Sequence, residues 1–122
     1  MTSAEKELST YLKAIAPPQR LKIILAIGQD EVCVCHLEAT FPQWRQAYIS
    51  QHLMALREAD VLTSRREGRY VYYRLRNALL LDLLSDMARL SGLSLSGFQT
   101  RANCECPSCA VNDIPEISVV TR

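Results

Sequence analysis

The chain has 122 residues, 48% of them hydrophobic and 22% charged, which fits one globular domain with a modest core. Its longest apolar stretch, residues 78–84, is interrupted by Asp82 and falls far short of the about 18–20 apolar residues of a membrane span. The first residues show no basic segment followed by an apolar one, so no secretory signal and a cytoplasmic, membrane-free protein are expected. A net charge of +1 is uninformative as a sum, but the distribution of charge is not.

Leu8, Tyr11, Leu12 and Ile15 recur at the i, i+3, i+4, i+7 spacing of an amphipathic helix. The pair Pro17-Pro18 ends that helix and opens the next, since proline is tolerated in a first turn. In RLKIILAI, Leu21, Ile24 and Leu25 share one face, and Gly28 closes the segment. A short third helix is expected at 34–40, stopped before Pro42, and a fourth at 44–59 with Ile49, Leu53 and Leu56 as its buried stripe.

The period then changes. VLTSRREGRYVYYRL is rich in β-branched and aromatic residues around a polar turn at Gly68, which predicts a hairpin with strands 61–65 and 70–75. Asn77 is placed to cap a last helix reaching about Ser91. Leu79, Leu80, Leu83, Leu84, Met87 and Leu90 cover too wide an arc of it for a lone small domain, so a second subunit is expected against it. Periodicity ends beyond Gly97, dividing the chain into a domain at 1–97 and a cysteine-bearing tail at 98–122.

Short helix, turn, longer helix and basic hairpin is the order of a winged helix-turn-helix: a mainly α fold with a β-hairpin wing. A helix of this kind fits the major groove, while an arginine-bearing hairpin reaches phosphates or the minor groove. On the fourth helix, Gln46, Tyr48, Ser50 and Gln51 lie away from Ile49 and Leu53, with Arg45 at its start. These five, with Arg65, Arg66 and Arg69 of the hairpin, are the expected contacts to double-stranded operator DNA. Arg74 and Arg76 extend the basic run, and Glu67 opposes it. A merely solvated face is the alternative for such a run.

The blocks AIAPPQRLKIILAI, EVCVCHL, ISQHLMALREADVL and SRREGRYVYYRL resemble, in order and spacing, the ArsR/SmtB metalloregulatory repressors over roughly residues 5–92. The resemblance implies a homodimer formed through the first and last helices, binding a palindromic operator that it releases with its inducer. Two positions depart from the family pattern. Arg45 stands where a serine is usual, and Asp60 replaces a glycine, although aspartate accepts left-handed backbone less readily.

All five cysteines fall in two groups, Cys33/Cys35 and Cys104/Cys106/Cys109. In an intracellular chain such clustering favours ligands over a disulfide framework or scattered core thiols. The resemblance implies that Cys33 and Cys35 match the thiolate pair of the arsenic- and cadmium/lead-responsive branches. The third cysteine of the arsenic pattern is Glu38 here, and Cys104, Cys106 and Cys109 can replace it. Thiolates select thiophilic ions such as As(III), Cd(II) and Pb(II), with Zn(II) a borderline candidate. Because i and i+2 on a regular helix point about 200° apart, a shared ion is expected to unwind the start of the third helix. Open alternatives are a thiol-oxidation or persulfide switch on the same repressor and a structural zinc in the tail. His36, next to the cysteine pair, is a candidate ligand but is more readily expected as a solvated helix position, and His52 is expected to be structural or near phosphate. The last helix carries Asp82 and Asp86 but no histidine, so a zinc site there is not expected. No nucleophile–base constellation or phosphate loop points to an enzyme.

Overall fold

The computed structural model describes residues 3–95, which form five helices and a three-stranded sheet. Cys104, Cys106 and Cys109 lie outside the described residues, as does the expected domain boundary at 97.

Helix α1 (Ala4–Ile15) begins where the Ser3 side chain accepts the Lys6 N–H at 3.1 Å, and Glu5 and Glu7 favour its positive end. The stripe foreseen for this helix is only partly core. Ile15 is buried and Tyr11 half-buried, but Leu8 and Leu12 face outward, left uncovered by the other elements among the described residues. Helix α2 (Pro18–Ile27) starts on its prolines and ends at Gly28, whose φ of +60° suits glycine. Its core face also differs from expectation. Ile23, Ile24, Ala26 and Ile27 are buried while Leu21 and Leu25 are half-buried, since α2 lies deep enough to be covered from two sides.

A two-residue strand β1 (Val32–Cys33), not foreseen, leads into α3 (Val34–Thr40). Helix α4 (Gln46–Glu58) starts two residues later than expected, because Trp44 turns back to stack on Phe41. It ends in a Schellman turn. The Val61 N–H donates to the Leu56 carbonyl at 2.9 Å and the Asp60 N–H to that of Arg57 at 3.0 Å. Asp60 itself takes φ +64°, the conformation for which a glycine would be usual. Val61 and Leu56, the flanking apolar pair of that motif, are both fully buried.

Strands β2 (Leu62–Glu67) and β3 (Tyr70–Leu75) form the hairpin, with β2 shifted from the expected 61–65. Gly68, at φ +63°, supplies the positive φ that a two-residue turn needs. The sheet order is β1-β3-β2, antiparallel throughout. Helix α5 (Leu79–Leu90) starts where Asn77 Oδ1 accepts the Leu79 N–H at 3.0 Å. Leu80 and Leu84 close the core formed by Ile23, Ile24, Leu37, Ile49, Leu53 and Leu62, and Ala88 is buried too, while Leu79, Leu83, Met87 and Leu90 make a separate exposed apolar stripe. No helix among the described residues is long and apolar enough to cross a membrane.

Candidate nucleic-acid interface and cysteine pair

Helix α4 is pinned by Ile49, Leu53 and Leu56, and its opposite side is bare. At about 100° per residue, exposed Gln46, Ala47, Ser50, Gln51 and Met54 fall within an arc of roughly 140°. Arg45, the extended N-cap residue, is exposed at the leading end. Tyr48 is not on the outer arc. It is half-buried at the flank, edge-on to Trp44 (5.5 Å) and to His52 (4.6 Å). The expectation that Tyr48 lies with the groove-facing residues is corrected to a place in a column, Phe41–Trp44–Tyr48–His52, that ties the α3–α4 turn to α4. Ala47 and Met54 also lie on the outer arc, where a pattern of polar residues does not reveal them. His52 is half-buried and structural: its Nδ1 accepts from Arg20 Nε at 3.0 Å, and Arg20 also donates to the Ala14 carbonyl. Burial, and then the Arg20 charge, lower its pKa.

The wing arginines divide into two kinds. Arg66 is exposed and makes no ion pair among the described residues. Arg69, in the turn, lies 5.4 Å from the Tyr70 ring centroid. Arg65 is instead held by carboxylates. Its Nε and Nη2 donate to the two oxygens of Glu31 at 2.7 and 2.8 Å, and its Nη1 donates to Glu67 at 2.7 Å. Its guanidinium also covers the Tyr72 ring at 4.7 Å. The hydrogen bond from Arg65 lowers the Glu31 pKa, and the same contacts raise that of Arg65. Glu67 is thus joined by Glu31 in opposing the basic run.

Cys33 is the N-cap of α3, with extended backbone (φ −85°, ψ 163°), and its sulfur accepts the His36 N–H at 3.2 Å. Cys35 lies in the first turn. Because one cysteine precedes the helix, the pair is not governed by the 200° separation expected on a regular helix. The two Cα atoms are 5.3 Å apart and the sulfurs are joined as a disulfide. The sulfurs therefore converge with α3 helical from Val34 onward. His36 is buried, not solvated, and burial lowers its pKa. Among the described residues no group of three or more His, Cys, Asp or Glu side chains could hold a metal ion.

No protein-family model matches the chain. The arsenical resistance operon repressor of Staphylococcus aureus is 34% identical over 82 residues, 67% of this chain and 78% of the repressor. The chain belongs to the ArsR/SmtB family of transcriptional repressors. Another relative, the cadmium resistance transcriptional regulatory protein CadC of Listeria innocua, is 35% identical over 78 residues, covering 63% of this chain and 65% of CadC. Among solved structures, the homodimeric winged helix-turn-helix DNA-binding domain Mb0332 of Mycobacterium bovis superposes with a TM-score of 0.61 at 26% identity, covering 75% of this chain and 89% of that one. In the winged helix-turn-helix order of an ArsR/SmtB repressor, α4 stands in the place of the recognition helix and the β2–β3 hairpin in that of the wing. Gln46, Ser50, Gln51, Arg45 and the wing arginines project from that one HTH–wing unit. Cys33 and Cys35 sit at the other end of its first helix.

Proposed function

We propose that this repressor binds operator DNA as a homodimer and is released when a thiophilic ion is held by cysteine thiolates. The observation that carries the reading is the convergence of Cys33 and Cys35 at the N-terminus of α3, the helix that the aromatic column fastens to α4. Arg45, Gln46, Ser50 and Gln51 are the groove-facing residues, with Ala47 and Met54 offering apolar contact to thymine methyl groups. Arg66 and Arg69 are the phosphate contacts of the wing, and Arg65 is a secondary one because Glu31 and Glu67 already neutralise it. In the reduced pair, the positive end of α3 favours thiolate. Cys33 and Cys35 supply two soft ligands for As(III), Cd(II) or Pb(II), and Cys104, Cys106 and Cys109 of the tail at 98–122 supply the rest. Zn(II) is the borderline competitor. The exposed stripe of α5, with Leu8 and Leu12 of α1, is the dimer contact. Operator binding places the protein's work in the cytoplasm.

The test is fluorescence anisotropy of labelled DNA from upstream of the protein's own gene. Reduced protein is titrated without metal, then with arsenite, cadmium, lead or zinc separately. Tight binding lost with one thiophilic ion is expected, and tight binding untouched by all four would refute the reading.

The Cys33–Cys35 disulfide favours a second reading, a thiol switch on the same repressor. One thiolate would displace hydroxide from hydrogen peroxide to give a sulfenic acid, and the other thiol would condense with it, releasing water and closing the disulfide. DNA affinity that changes with peroxide, returns with a dithiol reductant and ignores the four ions would favour it.

A further inference from the structure

Three residues stand in one row across the sheet. Cys33 of β1 pairs with Tyr72 of β3, and Tyr72 pairs with Arg65 of β2. Directly opposed residues of antiparallel strands share a face. The Tyr72 ring therefore has the Cys33 side chain on one side and the Arg65 guanidinium, 4.7 Å from its centroid, on the other. Cys33 and Tyr72 are almost wholly buried, so a displacement of one is felt by the other. Glu31 closes the row from above. It precedes Cys33 by two residues and grips Arg65 through both carboxylate oxygens, at 2.7 and 2.8 Å, across 34 residues of sequence. The wing arginine is thus tied twice to the segment that carries the cysteine pair, through Tyr72 and through Glu31.

The tie ends on a weak support. Strand β1 has two residues and pairs only with β3, so few backbone bonds hold it in the sheet. It also runs directly into the cysteine pair. A change at Cys33 and Cys35 meets little resistance in shifting β1, and any shift of β1 moves Glu31.

We propose that Glu31 is a positioning residue, one that fixes Arg65 and the wing relative to the Cys33–Cys35 segment and so carries the state of that pair to the DNA-binding hairpin. The inference rests on the ion-responsive reading above and adds a second output to it. The wing answers the cysteines through β1 as α4 answers them through α3. With Glu31 in place, the wing is held in one orientation while the cysteines are unligated. Without it, the Tyr72 contact alone links the wing to their state, a weaker tie, beside the α3–α4 route.

The experiment compares the unmutated, fully reduced chain with Glu31→Gln, which keeps side-chain size and removes the charge. Backbone hydrogen exchange of residues 62–67 is measured without DNA, before and after cadmium ion is added, with thiolate-to-cadmium absorbance recording occupancy. In the unmutated chain cadmium is expected to speed exchange in β2 several-fold. In the variant exchange is expected to be fast already and cadmium to change it less than twofold, at equal occupancy. The ratio of DNA dissociation constants with and without cadmium is expected to fall at least threefold in the variant. Glu31→Asp, which retains a carboxylate for Arg65, is expected to recover part of both effects, which loss of bulk alone would not explain. Unchanged β2 exchange in the unmutated chain, or an equal response in Glu31→Gln, overturns the proposal. An unmutated chain whose DNA affinity ignores cadmium and the other ions instead overturns the ion-responsive reading beneath it.

Discussion

Leu83 and Leu84 are neighbours in sequence with opposite surroundings. Leu84 is 6% exposed within the core and Leu83 is 50% exposed on the outer stripe of α5. Burying a leucine side chain completely is worth about 1.5–3 kcal/mol. The half of Leu83 still in water can therefore gain roughly 0.8–1.5 kcal/mol in each subunit when the stripe is covered. A two-fold interface counts each residue twice, so Leu83→Ala should weaken dimerisation by roughly 1.5–3 kcal/mol. At about 1.4 kcal/mol per decade, that is roughly a 10- to 150-fold rise in the dimer dissociation constant. Sedimentation equilibrium over a concentration series reads this directly. Leu84→Ala is the mirror experiment, with about 2–5 kcal/mol lost from unfolding stability by denaturant titration. A Leu83→Ala dimer constant within threefold of the unmutated value would refute the assignment of the stripe to a second copy.

The wing should separate into its two kinds of arginine. Arg66→Ala and Arg69→Ala are each expected to reduce the slope of log affinity against log salt by about 0.9, and Arg65→Ala by clearly less, since Glu31 and Glu67 compensate it. Equal slopes for all three would show that the carboxylates yield Arg65 freely to phosphate. Cys35→Ser should bind operator like the unmutated protein and fail to respond to arsenite or cadmium, and a full response would exclude the pair as sensor. His52 predicts a pH dependence. Its folded pKa lies below the ordinary value of 6.5, so the unfolded chain takes up the proton first. Stability should be intact above about pH 7 and decline as pH falls through 6.5 and below, as protonation of Nδ1 removes the Arg20 hydrogen bond. A thermal midpoint that drops from pH 7.5 to 5.5 in the unmutated protein, and drops less in His52→Gln, is the expected result.

The parts of the fold that local chemistry decides were legible in the sequence. Pro42 stops α3, Gly68 marks the wing turn, and Asn77 caps α5 because side chain and backbone leave few alternatives there. The parts decided at a distance were not. Strand β1 exists only because Val32 and Cys33 find Tyr73 and Tyr72 some 40 residues later, as the register gives. Two residues carry no period of their own. The apolar stripe of α1 is plain in the sequence, but periodicity does not say which surface covers it, and Leu8 and Leu12 face outward. Polarity alone groups Tyr48 with Gln46, Ser50 and Gln51, whereas it stands half-buried at the flank of α4, because an aromatic with a hydroxyl suits a packed column equally well. The pairing of Glu31 with Arg65, and the convergence of Cys33 with Cys35 at a helix cap, are properties of backbone geometry that a residue spacing measured on a regular helix cannot express.

Trp44 is the only tryptophan in the chain, and it sits at the joint between α3 and α4, stacked on Phe41 at 4.4 Å and edge-on to Tyr48 at 5.5 Å. Its emission reads that joint alone. The protein therefore carries its own optical gauge of the angle between the cysteine-bearing helix and the DNA-reading helix, and stopped-flow emission can time the motion between them without any attached dye.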